Sequence, residues 1–422
     1  MIELDLDARL RALGTGGGSP DWLDVQRRER RPRKRLIAFA VAAVAIVTVG
    51  TALALAPRLL DLLHVTRSNE EVPRPAAVAY VAGRLLHRPG HPTLRLAAGV
   101  FGPLVGQSAA LAVSSPDRRF VVYHTWRHET PSLRIVDLRH GTDRVLARGA
   151  QTLAWGGRGL AFVRGRPPRY DHRAYVGDVV VRRTPASPPV VWSDRVAEYG
   201  ALAWAGRTLL VAVAACNFPP CKGAREPGVY AFDGPGRIRQ LTVSGVSAVS
   251  PDGRLVVGPV LPVRGQDSPS PLVHLDDVRT GRALATLDLV AATRGRVPSS
   301  WLRGGLGEAD WRGDTIVGVS SFASVSTLVA LRFTHGRLRL EQVLRLDRAP
   351  RAGAPHGAFF VSPVFSGPGT RVVVAHVEGE LRNGYFSAMI TCDRVARRCV
   401  RGAPIRPRRW IAIVRNPSRP LG

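Results

Sequence analysis

A two-part unit recurs along the sequence and constrains the fold more than any other feature. In the first part a small-residue turn leads into an apolar strand. In the second part a strand ends at an acidic or polar turn with Gly, and another strand follows. Six copies of the first part lie 40 to 61 residues apart, a spacing typical of the four-stranded blades of β-propellers. The copies begin at Ser114, Leu153, Leu202, Val249, Ala309 and Ser366.

Segments on both sides of these copies predict how a ring of blades would close. Two strand-like segments near Val78 and Thr93 precede the first full unit, and the segment Arg408–Arg415 follows the last. We expect them to form one composite blade, because closure by both termini removes exposed strand edges. The predicted fold class is therefore all-β, a β-propeller with seven blades favoured and six or eight as alternatives.

Two copies of the first part carry a characteristic turn. Ser250-Pro251-Asp252-Gly253 is a complete Ser-Pro-Asp-Gly turn, and Ser115-Pro116-Asp117 matches it in part. With these turns before a strand, residues 73–415 resemble the TolB-like and WD-repeat-like propellers. The resemblance implies the propeller fold and identifies no ligand.

An apolar segment precedes the repeats. Leu36–Ala56 contains 21 residues without a charge, which matches the roughly 30 Å hydrocarbon layer of a bilayer. Arg27–Arg35 is strongly basic, so the positive-inside rule places the N-terminus in the cytoplasm and the rest outside. A cleaved signal peptide is the alternative, because Ala52-Leu53-Ala54 is a small-residue cleavage pattern. We favour an anchor, since the segment is longer than a typical signal-peptide core.

These features divide the chain into five parts and predict a single-pass protein of the cell membrane with an extracytoplasmic propeller. This layout resembles membrane-anchored envelope proteins of actinobacteria. The parts are a basic disordered tail (1–35), a transmembrane helix (36–56), a juxtamembrane linker (57–72), the propeller (73–415) and a C-terminal tail (416–422).

The charge of the chain is strongly positive. Lys and Arg number 60 against 32 Asp and Glu, a net charge of +28, and nearly all of the basic residues are arginines. A GC-rich genome explains part of this bias, while a positive field also attracts anionic partners. With the propeller outside, the expected partners are an anionic cell-wall polymer, lipid head groups or an acidic envelope protein, and not nucleic acid.

The four cysteines fall into two local pairs, Cys216 with Cys221 and Cys392 with Cys399. Disulfides persist outside the cytoplasm, and local pairing is favoured among the three possible connectivities. Cys392 and Cys399 flank a polar turn between two strands, so their bond would join the two strands of a hairpin at an outer edge. Neither pair has the spacing of a zinc site.

The strong sequence signals of enzymes do not occur. There is no Gly-x-Ser-x-Gly, His-Glu-x-x-His, phosphate-binding loop or dinucleotide fingerprint. His124, His128 and His140 with Glu129 form the densest group of metal-capable residues, which we interpret as exposed polar residues on an outer turn. We therefore assign no catalytic residue, no metal and no cofactor.

Several carboxylates could still serve acid–base chemistry. The candidate pairs are Asp276 with Asp277 and Glu308 with Asp310. Three aspartates that precede blade turns are expected to cap those turns by side-chain hydrogen bonds: Asp137, Asp233 and Asp277.

Long insertions between the predicted strands are the expected recognition elements, because propeller blades hold such loops rigidly. Most of them carry Arg, and several add Tyr, Trp or His, a mixture suited to carboxylate, phosphate or sugar contacts. The candidate ligand-binding residues are Arg166, Arg169, Tyr170, His172, Arg264, Arg294, Arg296, Trp301, Arg303, Arg351 and His356.

The sequence thus predicts a non-enzymatic binding or scaffold propeller at the cell envelope. Two alternatives belong to other classes. A propeller hydrolase or lyase acting on sugars or lactones would need inward-facing acids, histidines or a calcium ion at the central channel. A transmembrane sensor would signal through the 35-residue N-terminal tail.

Overall fold

The computed structural model describes twelve stretches of the chain, all within the compact unit Pro73–Gly422. Within these stretches no helix has the length and apolarity needed to cross a membrane. The other unit, Met1–Val72, contains the predicted transmembrane helix and lies outside the described residues. The described stretches are 78–100, 111–127, 130–165, 177–193, 199–213, 226–260, 270–322, 325–346, 358–366, 371–380, 384–401 and 411–415.

Over these stretches the chain is almost entirely β-strand and forms six sheets, one with eight strands and five with four. The eight-stranded sheet contains β1 (Tyr80–Ala82), β2 (Leu85–Arg88), β3 (His91–Arg95), β4 (Ala112–Ser114), β5 (Phe120–Arg127), β6 (Thr130–Asp137), β7 (Thr142–Arg148) and β28 (Ile411–Arg415).

The five four-stranded sheets follow one another along the chain, and in each the strands lie side by side in chain order. The first two contain β8 (Ala150–Gly156), β9 (Gly159–Gly165), β10 (Gly177–Arg182) and β11 (Val190–Ser193), then β12 (Tyr199–Ala205), β13 (Thr208–Val213), β14 (Gly228–Gly234) and β15 (Arg237–Gln240). The third contains β16 (Ala248–Val249), β17 (Leu255–Pro259), β18 (Leu272–Asp277) and β19 (Ala283–Asp288). The last two contain β20 (Ala309–Arg312), β21 (Thr315–Phe322), β22 (Val325–Thr334) and β23 (Arg337–Arg345), then β24 (Ala358–Ser366), β25 (Arg371–Glu380), β26 (Gly384–Asp393) and β27 (Arg398–Arg401).

The eight-stranded sheet joins the two ends of the described chain. Its order is β3-β2-β1-β28-β4-β5-β6-β7. The last strand, β28, is antiparallel to β1 with Val81 opposite Ala412, and parallel to β4 with Val414 opposite Ala112. The predicted pairing of the first strands with the segment before Arg415 is therefore confirmed.

Apolar clusters hold each sheet against the next. Leu133 and Ile135 of the eight-stranded sheet pack with Leu160 and Phe162 of the following sheet. Equivalent clusters join each later sheet to its successor. Ile413 on β28 contacts Val373 of the last sheet and so continues the series back to its start. Successive four-stranded antiparallel sheets packed face to face in this way form a β-propeller.

The Ser-Pro-Asp-Gly turn shows why its residue types recur. The Ser250 hydroxyl accepts a hydrogen bond from the Leu255 N–H at 2.9 Å and donates to Asp252 Oδ1 at 2.6 Å. Asp252 Oδ1 also accepts from the Arg254 N–H at 3.1 Å. The serine and the aspartate thereby satisfy backbone groups that the tight turn leaves unpaired.

Glycine is required in that turn for two reasons. Gly253 has φ of +70°, and a Cβ placed there would lie 2.4 Å from the Gly206 nitrogen of the neighbouring sheet. In the partial copy, Arg118 occupies the equivalent position with φ of +57°. A non-glycine residue is strained in this region by about 1 kcal/mol.

The predicted cysteine hairpin is present. Cys392 on β26 lies opposite Cys399 on β27, their Cα atoms are 4.0 Å apart, and the two residues form a disulfide. Since β27 is the edge strand of its sheet, the bond joins that edge to its neighbour. The other predicted pair, Cys216 with Cys221, lies outside the described residues.

Candidate binding site in the central channel

Seven strands surround a cavity of about 810 Å³. They are the first strands of the five four-stranded sheets together with β4 and β28, which lie at the centre of the eight-stranded sheet. The cavity is therefore the central channel of the propeller. Its size lies within the roughly 300–1,000 Å³ range of ligand pockets.

Most of the channel wall is apolar. Three tryptophans occupy equivalent positions at the end of their inner strands, and each ring packs on another aromatic ring. Trp155 stacks on Phe120 at 6.2 Å between ring centres, and Trp311 meets Phe333 edge-on at 6.1 Å. Trp204 contacts Trp192 in the same edge-on manner. These rings fix the walls by packing between and within sheets.

An ion pair joins two of the polar residues that line the channel. Arg415, the last residue of β28, donates from Nη2 to Glu308 Oε2 at 2.8 Å. Glu308 comes directly before β20, so this ion pair spans two sheets that are not neighbours in the ring. The Glu308 side chain is only 10% exposed, and a desolvated charge pair of this kind is a fixed polar feature rather than a loose surface contact.

Asp310 lies two residues further along, on β20. Its Oδ2 accepts a hydrogen bond from the Phe365 N–H at 2.8 Å. Burial raises the pKa of the Asp310 carboxyl, while the Phe365 N–H and then the charges of Arg415 and Arg312 act in the opposite direction. Arg312 itself lies over the Phe365 ring, with its guanidinium carbon 5.3 Å from the ring centre.

A long insertion delivers Glu308 to this position. It begins with a short helix, α1 (Leu289–Ala292), capped by Asp288, and continues through a 3₁₀ turn at Ser299–Trp301. Its later part is anchored by two buried leucines, Leu302 and Leu306. The buried Ser247 hydroxyl donates to the Leu306 carbonyl at 2.7 Å. This insertion, which carries the predicted recognition residues Arg294, Arg296, Trp301 and Arg303, therefore ends inside the channel.

The predicted recognition residues of this insertion have different environments. Arg294, Arg296 and Arg303 are exposed, as expected of a binding loop. Trp301 is half-buried, packs on the neighbouring core and lies beneath the Arg345 guanidinium, 5.4 Å from the ring centre. Trp301 therefore contributes to holding the loop in place. The seven other candidates lie outside the described residues: Arg166, Arg169, Tyr170, His172, Arg264, Arg351 and His356.

Two members of the predicted histidine cluster, His124 and His140, lie in the described stretches. In those stretches no three His, Cys, Asp or Glu side chains are placed to hold a metal ion. The expectation of an exposed outer turn is wrong for His124, which lies on β5 and is 3% exposed. It is right for His140, which is exposed and contacts Asp137. His128 and Glu129 lie outside the described residues.

Sequence reasoning found part of this site. It named Glu308 with Asp310 as a possible carboxylate pair, but it missed Arg312 and Arg415. Arg415 ends the closing strand, and Arg312 ends the inner strand β20. Their positions at the ends of inner strands could have identified them as channel residues, because the inner strands of a propeller face the channel.

Comparison with known proteins gives similarities at the level of the fold. No family model matches the sequence, and no curated protein matches it. TolB from Acinetobacter baumannii is 14% identical with a TM-score of 0.40, over 80% of this chain and 65% of TolB. The propeller domain of the Trilobed protease from Pyrococcus furiosus is 12% identical with a TM-score of 0.43, over 77% of this chain and 97% of that domain.

An oligogalacturonate lyase in complex with manganese is also 12% identical, with a TM-score of 0.44 over 70% of this chain and 81% of the lyase. The chain thus spans just under two thirds of TolB and most of the two other structures. The function must be argued from the residues of the channel.

Proposed function

We propose that this protein is a β-propeller binding module that takes a polar ligand into its central channel and does not transform it. The observation that carries the proposal is the Glu308–Arg415 ion pair in an otherwise mainly apolar channel of about 810 Å³. A few convergent polar groups in an apolar cavity are typical of ligand-binding sites. The paired charges offer a donor and an acceptor to a ligand that carries hydroxyl or carboxylate groups.

In this proposal the propeller has seven blades. The five four-stranded sheets provide five, and the eight-stranded sheet provides two, one of them built from β1 to β3 and β28. The module is anchored by residues 36–56 and faces the outside. The uncharged length of that segment and the basic run before it support this part of the proposal. Its ligand is then a component of the cell envelope.

Binding can be tested with the full-length chain purified in detergent and immobilised. Envelope polymers, lipids and proteins are applied separately and washed with increasing salt. We expect one fraction to be retained, and Arg415→Gln to weaken its retention about tenfold, as loss of a charged hydrogen bond predicts. Arg337→Gln, an exposed arginine on β23, is the control and should retain it fully. No retention of any fraction, or equal retention by both variants, would overturn the proposal.

A hydrolase or lyase remains the second candidate, favoured by one specific observation. Glu308 and Asp310 both line the channel, and burial raises the pKa of Asp310 as a general acid requires. The bound fraction should then be consumed by the wild-type chain, and Asp310→Asn should abolish consumption while retaining binding. Recovery of an unchanged ligand after prolonged incubation would exclude this candidate for that ligand.

A further inference from the structure

Three arginines lie between the eight-stranded sheet and the sheet that follows it, and we call the space around them the arginine groove. Residues directly opposite each other in an antiparallel pair point to the same face of the sheet. Each of the three lies opposite a residue of the apolar cluster that joins these two sheets. All three therefore lie on the facing surfaces of the two sheets. The pairs are Arg144 with Ile135, Arg164 with Ala150 and Arg182 with Leu160.

The groove has more positive charge than the described carboxylates around it neutralise. Asp178 lies 3.6 Å from the Arg164 guanidinium and balances that charge in part. Asp143 precedes Arg144 but is directed elsewhere, since it accepts hydrogen bonds from Arg134 at 2.9 Å and from the Tyr123 hydroxyl at 2.7 Å.

Among the three arginines, Arg182 has the environment that least favours a charged guanidinium. Burial, and then the charges of Arg144 and Arg164, lower the pKa of its guanidinium. Its Nη1 donates to the Pro185 carbonyl at 3.4 Å, whereas the buried Nε has no partner among the described residues. A folded protein that holds like charges together in this way is stabilised by anything anionic that binds between them.

We infer that this groove is a binding site for an extended linear polyanion, separate from the central channel. The guanidinium fork matches the oxygens of phosphate and carboxylate groups. Arg182 lies four positions along β10 from Asp178, the partner of Arg164 across the strands. Four positions correspond to roughly 13 Å of strand, so the backbone positions that carry Arg164 and Arg182 are further apart than one oxyanion spans. Repeated charges along one chain fit this separation.

The competing explanation for polyanion binding is the diffuse positive electrostatic field of the whole surface. Residues 58–422 carry 51 basic and 26 acidic residues, a net charge of +25, and such a surface attracts polyanions without a defined site. The two explanations differ in how position matters. A diffuse field loses little when two of its charges are removed anywhere, whereas a site loses most of its affinity when two of its own arginines are removed.

The test uses the full-length chain in detergent and fluorescent inorganic polyphosphate, with fluorescent polyglutamate as a second probe, each titrated at physiological salt. The double variant Arg144→Gln with Arg182→Gln is compared with Arg237→Gln and Arg337→Gln, two exposed arginines on other sheets. Both variants lose the same charge. We expect the groove variant to bind about tenfold more weakly or worse, and the control to bind within twofold of wild type.

Binding of polyphosphate alone assigns the site to phosphates, and binding of both probes assigns it to oxyanions in general. Equal losses in the two double variants, or no binding of either probe by wild type, would overturn the inference. Arg415→Gln should bind both probes as wild type does, so a failure of the proposed channel function remains distinguishable from a failure of the groove.

Folding of the variants is followed by thermal unfolding. Because the arginines repel one another, the groove variant should unfold at the wild-type temperature or above it. Polyphosphate should raise the unfolding temperature of the wild type and leave that of the groove variant unchanged. If the double variant does not fold, Arg144→Gln alone, at an exposed position, carries the same comparison.

Discussion

The aspartates at the blade turns and the aspartate in the channel have opposite electrostatics. At one turn, Asp277 accepts hydrogen bonds from the Thr280 N–H at 2.7 Å and from the Thr280 hydroxyl at 3.0 Å. These bonds, the backbone bond first, lower the pKa of its carboxyl. In the channel, Asp310 accepts from the Phe365 N–H at 2.8 Å, and burial, the largest influence, raises the pKa of its carboxyl.

This difference in pKa separates carboxylates that stabilise a turn from the carboxylate in the channel. A carboxylate that satisfies backbone N–H groups is stabilised as an anion and holds a turn. Asp137 is also stabilised as an anion: the side-chain bonds with Arg119 and then with His140 lower the pKa of its carboxyl most, and its Oδ1 accepts from the Arg139 N–H at 2.9 Å. A carboxyl whose pKa is raised by burial lacks this stabilisation of its charged form. Asp310 is therefore the aspartate of this comparison that is best explained by a ligand.

The largest effect is expected at a buried structural carboxylate. Asp276 is 0% exposed, and its Oδ2 accepts from the N–H groups of Thr242 at 2.6 Å and Val243 at 3.0 Å. Asp276→Ala leaves two backbone donors unpaired, that of Val243 in a buried position, which we expect to lower the free energy of unfolding by about 3 kcal/mol. Chemical denaturation of the full chain measures this.

Asp276→Asn is the matched control, because its amide oxygen can accept the same two bonds. It should lose far less stability than the alanine variant. If both substitutions cost the same, the negative charge rather than the backbone bonds stabilises this position, and the division between structural and channel carboxylates fails for Asp276.

The next effect concerns pH at an exposed turn. The folded-state pKa of Asp277 is lowered, so its contribution to stability is present above the unfolded value near 4 and is lost as the pH falls through the folded value. Asp277→Asn should cost about 0.5 kcal/mol at pH 7, as for other exposed charge interactions, and nothing near pH 2. Denaturation of both proteins across this range checks the prediction, and a difference that persists at low pH would contradict it.

The sequence predicted the sheets better than it predicted the site. Strand alternation and turn residues are local signals, and the pairing of the first strands with Arg415's strand followed from the need to close an edge. The same local reasoning assigned turn capping correctly to Asp137 and Asp277. It was incomplete for Asp233, which bonds the Thr208 hydroxyl at 2.5 Å and the Arg239 guanidinium on neighbouring strands.

The channel is a non-local feature, and this explains what sequence reasoning missed. Glu308 and Arg415 are 107 residues apart and meet only because the ring brings their strands to one axis. The buried position of His124 is likewise set by the sheets on either side. The arginine groove combines β7 with β9 and β10, so its charge imbalance is invisible in any single segment.

The smallest effect, and the sharpest test of the comparison, has the opposite sign. The folded-state pKa of Asp310 is raised, so the folded protein binds its proton more tightly than the unfolded chain does. Stability then falls as the pH rises from the unfolded value near 4 through the folded value. Asp310→Asn keeps an acceptor for the Phe365 N–H and removes the disfavoured charge. We therefore expect the variant to be more stable than wild type at pH 7 and equal to it below about pH 4.

The expected gain in stability is small because the Phe365 N–H and then the charges of Arg415 and Arg312 already offset part of the effect of burial on the Asp310 pKa. Asp277→Asn, measured in the same pH series, serves as the control, since it must be less stable than wild type at pH 7. If Asp310→Asn also loses stability at pH 7, the channel carboxylate is held as an anion by the two arginines. Asp310 would then belong with the turn aspartates as a structural group, and the channel would offer a ligand the Glu308–Arg415 pair alone.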